Sequence, residues 1–270
     1  MSDAQRIIKY LAIAFAWFLV FSIISGIMSA ILSLGNIFGN KEEGTDVFEG
    51  IDINGNVSIL DVDVNNVDVI IEEGYYLKAE TNNENVRIKQ VNNKLFITQK
   101  KQDWYKNDER KEIVISIPYE FMFDAVSLEA GAGNVNIDGL SAKKLELGLG
   151  AGNVKINKLV VSNETEIEGG AGEIIITDSK LNNMDLDLGV GKVSITSSVT
   201  GNSQIDSGIG EVNLNLIGSE EDYKILVEKG IGTTTISGKT ISNNVFYGNG
   251  SNNINIEGGV GGIKINFVNN

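Results

Sequence analysis

Polar and apolar residues alternate through most of the chain, and in its second half the alternation recurs on a nearly fixed period. A seven-residue motif reads GAGNVNI at 131–137, GAGNVKI at 150–156, GAGEIII at 170–176, GVGKVSI at 189–195, GIGEVNL at 208–214, GIGTTTI at 230–236 and GVGGIKI at 259–265. The first five copies start 19 or 20 residues apart, and the next two gaps are 22 and 29. A sustained period of about 20 predicts a solenoid, whose coils pack only on their neighbours. The longer gaps predict one coil with a small insertion and one with a large insertion.

Each period predicts two strands with one buried face. The first is the tail of the motif, where Val135 and Ile137 alternate with Asn134 and Asn136. The second precedes the next motif, where Leu145, Leu147 and Leu149 alternate with Lys144, Glu146 and Gly148. Stacked in chain order, the periods give three inward columns. One runs Val135, Val154, Ile174, Val193, Val212, Thr234, Ile263. Its neighbour runs Ile137, Ile156, Ile176, Ile195, Leu214, Ile236, Ile265. The facing wall runs Leu128, Leu147, Ile167, Leu186, Ile205, Val227, Ile256. Nearly all are β-branched or aliphatic, as a thin core between two sheets requires. The inward phase slips by one between Ala151 and Val154, which predicts a bulged corner bracketed by Gly150 and Gly152, where glycine tolerates positive φ.

Residues 51–125 alternate less regularly. Strands are predicted near 57–64, 67–72, 76–81, 84–90, 94–100 and 112–118, with a turn at Asn65–Asn66. This portion is expected to start the stack and cap it, since a bare end would expose unpaired strand edges. The insertion near 238–250, with Phe246 and Tyr247, is expected to help cover the far end.

The first forty residues differ in kind. No charged residue occurs from Tyr10 to Asn40, and the most apolar part spans 10–34. That exceeds the roughly 20 residues a helix needs to cross a bilayer. Arg6 and Lys9 precede the span, while Lys41, Glu42, Glu43 and Asp46 follow it, so the positive-inside bias places the N-terminus in the cytoplasm. A cleaved leader would have a shorter apolar core and a better small-x-small site. Ser22, Gly26 and Ala30 fall on one stripe that would let two such helices approach closely. The expected organisation is a cytoplasmic tail (1–9), a transmembrane helix (10–34), a linker (35–50), an N-terminal β region and cap (51–125) and β-solenoid repeats (126–270). The fold class is all-β: a glycine-punctuated, β-helix-like solenoid with an N-terminal β cap region, preceded by one transmembrane α-helix. The location is a single-pass cell membrane protein with an extracytoplasmic C-terminal domain.

Composition narrows the chemistry. The chain has no Cys and no His, one Pro and 31 Gly. Thiolate and imidazole chemistry, disulfides and the usual zinc sites are therefore excluded. The net charge is −14, and because residues 1–40 sum to +1, the remainder carries −15. So acidic a domain disfavours nucleic acid and favours cations or basic surfaces. Each Gly-x-Gly leads into a strand, so dinucleotide binding is not expected. The calcium-roll nonapeptide needs Asp at its sixth position, where this chain has Ile174 and Ile263. The only arginines, Arg6, Arg87 and Arg110, precede the repeats, against polysaccharide-lyase chemistry. No catalytic residues are assigned, no enzyme is expected, and no cofactor is expected beyond weakly held calcium or magnesium.

Two outward columns are the candidate site. Two residues before each motif stand Glu129, Gly148, Glu168, Asp187, Asp206, Glu228 and Glu257. Four residues before stand Ser127, Glu146, Glu166, Asp185, Gln204, Leu226 and Asn255. In register, successive carboxylates would lie about 4.8 Å apart, where like charges repel unless screened. Glu146, Glu166, Glu168, Asp185, Asp187 and Asp206 form the candidate ladder for a cation or a basic ligand. The plainer reading is a solvated face that keeps sheets from sticking together.

These serial motifs, with the preceding LFITQK and IVISIPYEF strands (95–100 and 113–121) and the N-terminal span, resemble the bacterial putative-adhesin family of β-strand repeat proteins of unknown function, DUF4097, over about residues 51–268. The resemblance implies an envelope protein. Some members are similar to accessory proteins of envelope-stress operons. It transfers no functional residues. Two functions are therefore expected. The first is a non-catalytic, membrane-anchored extracytoplasmic binding scaffold of the bacterial envelope, adhesin-like, contacting a protein, peptide or cell-wall ligand. The alternative is an accessory of an envelope-stress or membrane signalling system that acts through a membrane partner.

Overall fold

The structure is a computed structural model that describes residues 57–100, 111–244 and 246–268, together with the backbone of 51–52. All belong to the compact unit Val47–Asn270. The predicted tail, membrane span, Ser22–Gly26–Ala30 stripe and linker, with the flanking charges, all lie outside the described residues. Among the described residues no helix is long and apolar enough to cross a membrane.

Strands dominate the described residues, and the coils stack in parallel. One extended run, Val135–Asn182, winds through successive coils, its strand segments joined by corners at residues such as Gly139, Gly152 and Lys158. The strand segments enclose a thin core, and every residue of the three predicted inward columns is buried; a further inward set, Leu140, Ala142, Leu159, Val161, Leu181 and Val199, follows the turns at Gly139, Lys158 and Asp178. The columns continue into the N-terminal region. Val62 lies between Ile97 and Leu128, Val69 between Ile113 and Val135, and Ile71 between Ile115 and Ile137.

The corners follow from the glycines, with a division of labour the sequence does not show. Gly152 has φ +151, and a Cβ there would sit 1.8 Å from the Gly133 carbonyl oxygen of the preceding coil. Gly150 lacks positive φ, but a Cβ on it would lie 2.2 Å from the Gly131 oxygen. The first glycine of the pair thus serves close approach between coils, and the second also serves backbone conformation. In the 59–74 coil, which has no glycine pair, Asn65 and Asn66 take this corner. Their backbone N–H groups donate to Gln99 Oε1 at 2.8 and 3.2 Å.

The expectation of stacking in chain order is corrected at both ends. The strand Asn202–Ile217 does not neighbour Tyr223–Ile231. The last two strands, Asn252–Val260 and Ile263–Val268, lie between them and pair in parallel with both coils. The inward column therefore reads Val212, Ile263, Thr234. The two long gaps explain this. Gly218, at φ +141, and the 3-10 turn Glu220–Asp222 carry the chain past one vacant coil position. After the 223–236 coil the chain doubles back. Lys239–Thr240 and Phe246–Gly248 pair antiparallel on its outer edge, and the chain then returns to fill the gap. The 238–250 segment does cover the far end, and Tyr247 donates to Glu220 to hold it there.

The other end repeats the device. The 59–74 coil lies between an outer coil that contains Lys94–Gln99 and Glu112–Pro118 and the 122–138 coil. Lys78–Thr81 and Val86–Val91 pair antiparallel on the outer coil and close that edge. The crossing from outer to inner coil begins at Pro118, the sole proline, and turns at Glu120 with φ +61.

The candidate acidic face and its family

Register places the predicted carboxylates in rows on one outer face. Glu168, Asp187 and Asp206 are directly opposite one another on adjacent strands, and so are Glu166 and Asp185. Interleaving then alters the far end. Asp206 faces Glu257, and Glu257 faces Glu228. The row Glu168–Asp187–Asp206–Glu257–Glu228 is thus unbroken. In the other row Asp185 gives way to Gln204, then Asn255, then Leu226. Glu146 sits opposite Ser127 and forms an ion pair through Lys144, whose ammonium is 2.8 Å from Glu146 and 3.2 Å from Glu164.

Sequence reasoning missed two members. Asp63 stands opposite Glu129, and Asp61 stands opposite Ser127 and pairs with Lys94 at 2.7 Å. The alternation of 60–64 signals an outward Asp61 and Asp63. Their alignment with residues 66 positions later needed the stacking order.

Electrostatics set this face apart. Partial burial, reinforced by neighbouring carboxylates, raises the pKa of Glu166, Glu168 and Asp185. Burial, then Asp63 and Asp61, pushes Glu129 up to about 7. Burial, then the charge of Asp206, pushes Asp187 up to about 7. Burial also raises Asp206, against the hydrogen bond its Oδ2 accepts from Gln204 Nε2 at 3.0 Å. Asp206 Oδ1 is buried and lacks a donor. A proton on Asp187, shared with Asp206, supplies that donor, as expected for close carboxylates that cannot both ionise. Among the described residues no three carboxylates converge as a metal-binding group. A cation here would have to lie along a row, with water completing its shell.

The face formed by the motif tails carries both signs of charge, with Lys158 paired to Glu73 and Asp138 and Lys192 to Glu173. Asn157 Nδ2 donates to Asp138 at 2.8 Å, Thr177 Oγ1 to Asn157 at 3.1 Å, Asn215 Nδ2 to Thr196 at 3.1 Å, and Asn266 Nδ2 to Asn215 at 3.0 Å. Those side chains satisfy one another along the stack, whereas the facing carboxylates of the unbroken row repel unless a proton is shared between them.

A pH dependence follows. The folded pKa of Asp187 lies above the ordinary aspartate value of 3.8. The folded state therefore binds the proton more tightly, and stability falls as pH rises between the two values. The penalty is absent below about pH 4 and complete above about pH 7. Asp187→Asn should raise stability at pH 8 by about 1–2 kcal/mol after allowing for solvent screening, or about 3–6 °C. At pH 4 it should have little effect. Thermal melts at both pH values check this, and an equal shift at both would show that proton repulsion is not the cause.

A parallel β-solenoid with one acidic face belongs to the class of β-repeat proteins. The chain belongs to the Toastrack DUF4097 family, whose model matches residues 57–256. It is similar to a putative cell adhesion protein from Clostridium sporogenes ATCC 15579, at 18% identity and a TM-score of 0.38, covering 82% of this chain and 98% of that one. It is also similar to a putative adhesin from Bacteroides fragilis NCTC 9343, at 14% identity and a TM-score of 0.43, covering 81% and 96%. No curated protein matches the chain.

Proposed function

We propose that this protein is a non-catalytic, membrane-anchored scaffold of the bacterial envelope. The 10–34 span holds it in the membrane, the N-terminus is cytoplasmic and the β domain stands outside. The acidic face binds an extended basic ligand there. The supporting observation is the asymmetry between the faces: hydrogen-bonded amides and hydroxyls on one, an unbroken row of facing carboxylates on the other. Repulsion along such a row is relieved by a counter-charge of matching spacing, and a linear polycation gains further by multivalency. A face that persists despite this repulsion has a use beyond stability.

The test uses full-length protein in detergent and a polylysine probe. Binding should weaken as ionic strength rises and strengthen as pH rises through 7. An Asp187→Asn, Asp206→Asn double variant should bind at least fivefold less tightly. Equal binding by native protein and variant would leave the face merely solvated. It would shift the balance to an accessory role in envelope-stress or membrane signalling, exerted through the helix. External protease on intact cells should remove the β domain; protection until lysis would reverse the orientation.

A further inference from the structure

The acidic row that passes through Asp185 ends in a different surface, and interleaving creates it. On the 202–217 coil and the inserted 252–268 coil, the outward residues are Asn202, Gln204, Asn253 and Asn255, paired in register as Asn202 with Asn253 and Gln204 with Asn255. On the terminal coil the equivalent of Asp185 is Leu226, an outward aliphatic where most other coils carry an acid or amide. Phe246 pairs with Leu226 from the antiparallel edge strand and is 59% exposed. Lys224 lies over the Phe246 ring at 4.6 Å.

Together these residues line an open cleft of about 490 Å³, with Glu164, Asn183 and Asp185 on its far side. Its floor is amide, one wall is apolar and aromatic, and the other is acidic. Asn255 Oδ1 in this floor is buried and has no hydrogen-bond donor. An unsatisfied buried acceptor costs free energy unless a ligand supplies the missing N–H or O–H.

We infer that this cleft binds a glycan containing N-acetylhexosamine. Rings of that class present an apolar C–H face to an aromatic side chain, hydroxyls to amides and carboxylates, and an amide N–H and a methyl group through the acetamido substituent. Phe246, covered by Lys224 on one face, takes the sugar ring on its other, exposed face. The acetamido methyl packs on Leu226, and its N–H donates to Asn255 Oδ1 as the ligand displaces the side chains that cover that oxygen. Asn202, Gln204 and Asp185 take the hydroxyls. A polycation would be poorly served here, because Lys224 stands at the cleft and carboxylates are confined to one wall. The inference rests on the scaffold reading above but uses a different part of the same face.

The experiment titrates full-length protein in detergent with tri-N-acetylchitotriose and, separately, maltotriose, by calorimetry. Binding of the acetylated trimer should be at least fivefold tighter than that of maltotriose and insensitive to salt. Phe246→Ala should weaken it at least tenfold. Leu226→Asp, which restores the residue type found at Asp185, should do likewise without disturbing the fold, as unchanged melting temperature verifies. Glu211→Gln, an exposed change outside both binding surfaces, should leave it unchanged. Equal binding of the two trimers, or retention in both cleft variants, overturns the assignment. Failure of both trimers to bind overturns it too, while polylysine binding independently decides the scaffold reading.

Discussion

Ending the chain after Gly250 should unravel far more than its final residues. The deleted segment contributes Ile254, Ile256, Ile263 and Ile265, all buried and all interior to the stack. At about 2 kcal/mol for each buried side chain, the loss is comparable with the whole stability of a typical domain, about 5–15 kcal/mol. Deletion also strands the 223–236 coil one position away from its support, with Tyr223, Ile225 and Val227 uncovered. Limited proteolysis should cut throughout 218–250, and the main thermal transition should fall by more than 10 °C or give way to aggregation. If the coils were stacked in chain order, the same deletion would trim one end and leave 223–236 protected against 202–217. Protection of Tyr223 in the truncated protein would therefore refute the interleaved arrangement.

Gly152→Ala should be among the most damaging single substitutions, although it adds one methyl at a corner. The added carbon would meet the Gly133 carbonyl oxygen at 1.8 Å, and the residue would be held at φ +151. Backbone strain of about 1–3 kcal/mol and overpacking of about 1–3 kcal/mol together predict a loss of about 2–6 kcal/mol. The contact is with backbone of the preceding coil, so no side chain can rotate away. The residue beside it is the control. Ala151 is exposed, and the same position in other coils holds Val190 and Val260. Ala151→Val should change stability by less than about 0.5 kcal/mol. Urea unfolding of the two variants checks both. A tolerated Gly152→Ala would mean that the coils are less closely apposed at this corner.

What the sequence declared and what it withheld have separate physical origins. Alternation assigns a side to each residue, because burying Val135 or Leu147 is favourable whichever coil lies beside it. Hence the inward columns and the outward carboxylates are legible from spacing alone. Neighbour identity is not encoded in that way. Ile263 and Thr234 both follow Val212 acceptably in an inward column, so hydrophobic pattern cannot choose between them. Only the gaps of 22 and 29 residues hint that the chain steps over a position and returns. The extension of the acidic row to Asp61 and Asp63 was hidden for the same reason, since the 59–74 coil lacks the glycine pair that marks the other corners. The amide cleft was further out of reach. It requires Asn253 beside Asn202, 51 residues apart, with their side chains hydrogen-bonded at 2.8 Å.

Interleaving at both ends also constrains how such a chain can change length over generations. The 59–118 and 218–268 segments are each tied by a strand that returns between two earlier or later coils, so neither tolerates gain or loss of a coil at its edge. Between them, the units starting at 131, 150, 170, 189 and 208 join head to tail at intervals of 19 or 20 residues and share the same corner. Unequal recombination within that stretch would insert or remove a whole coil while leaving both locked ends intact. Heritable variation in length is thus confined to the middle of the molecule, where each added unit extends the carboxylate rows by one step.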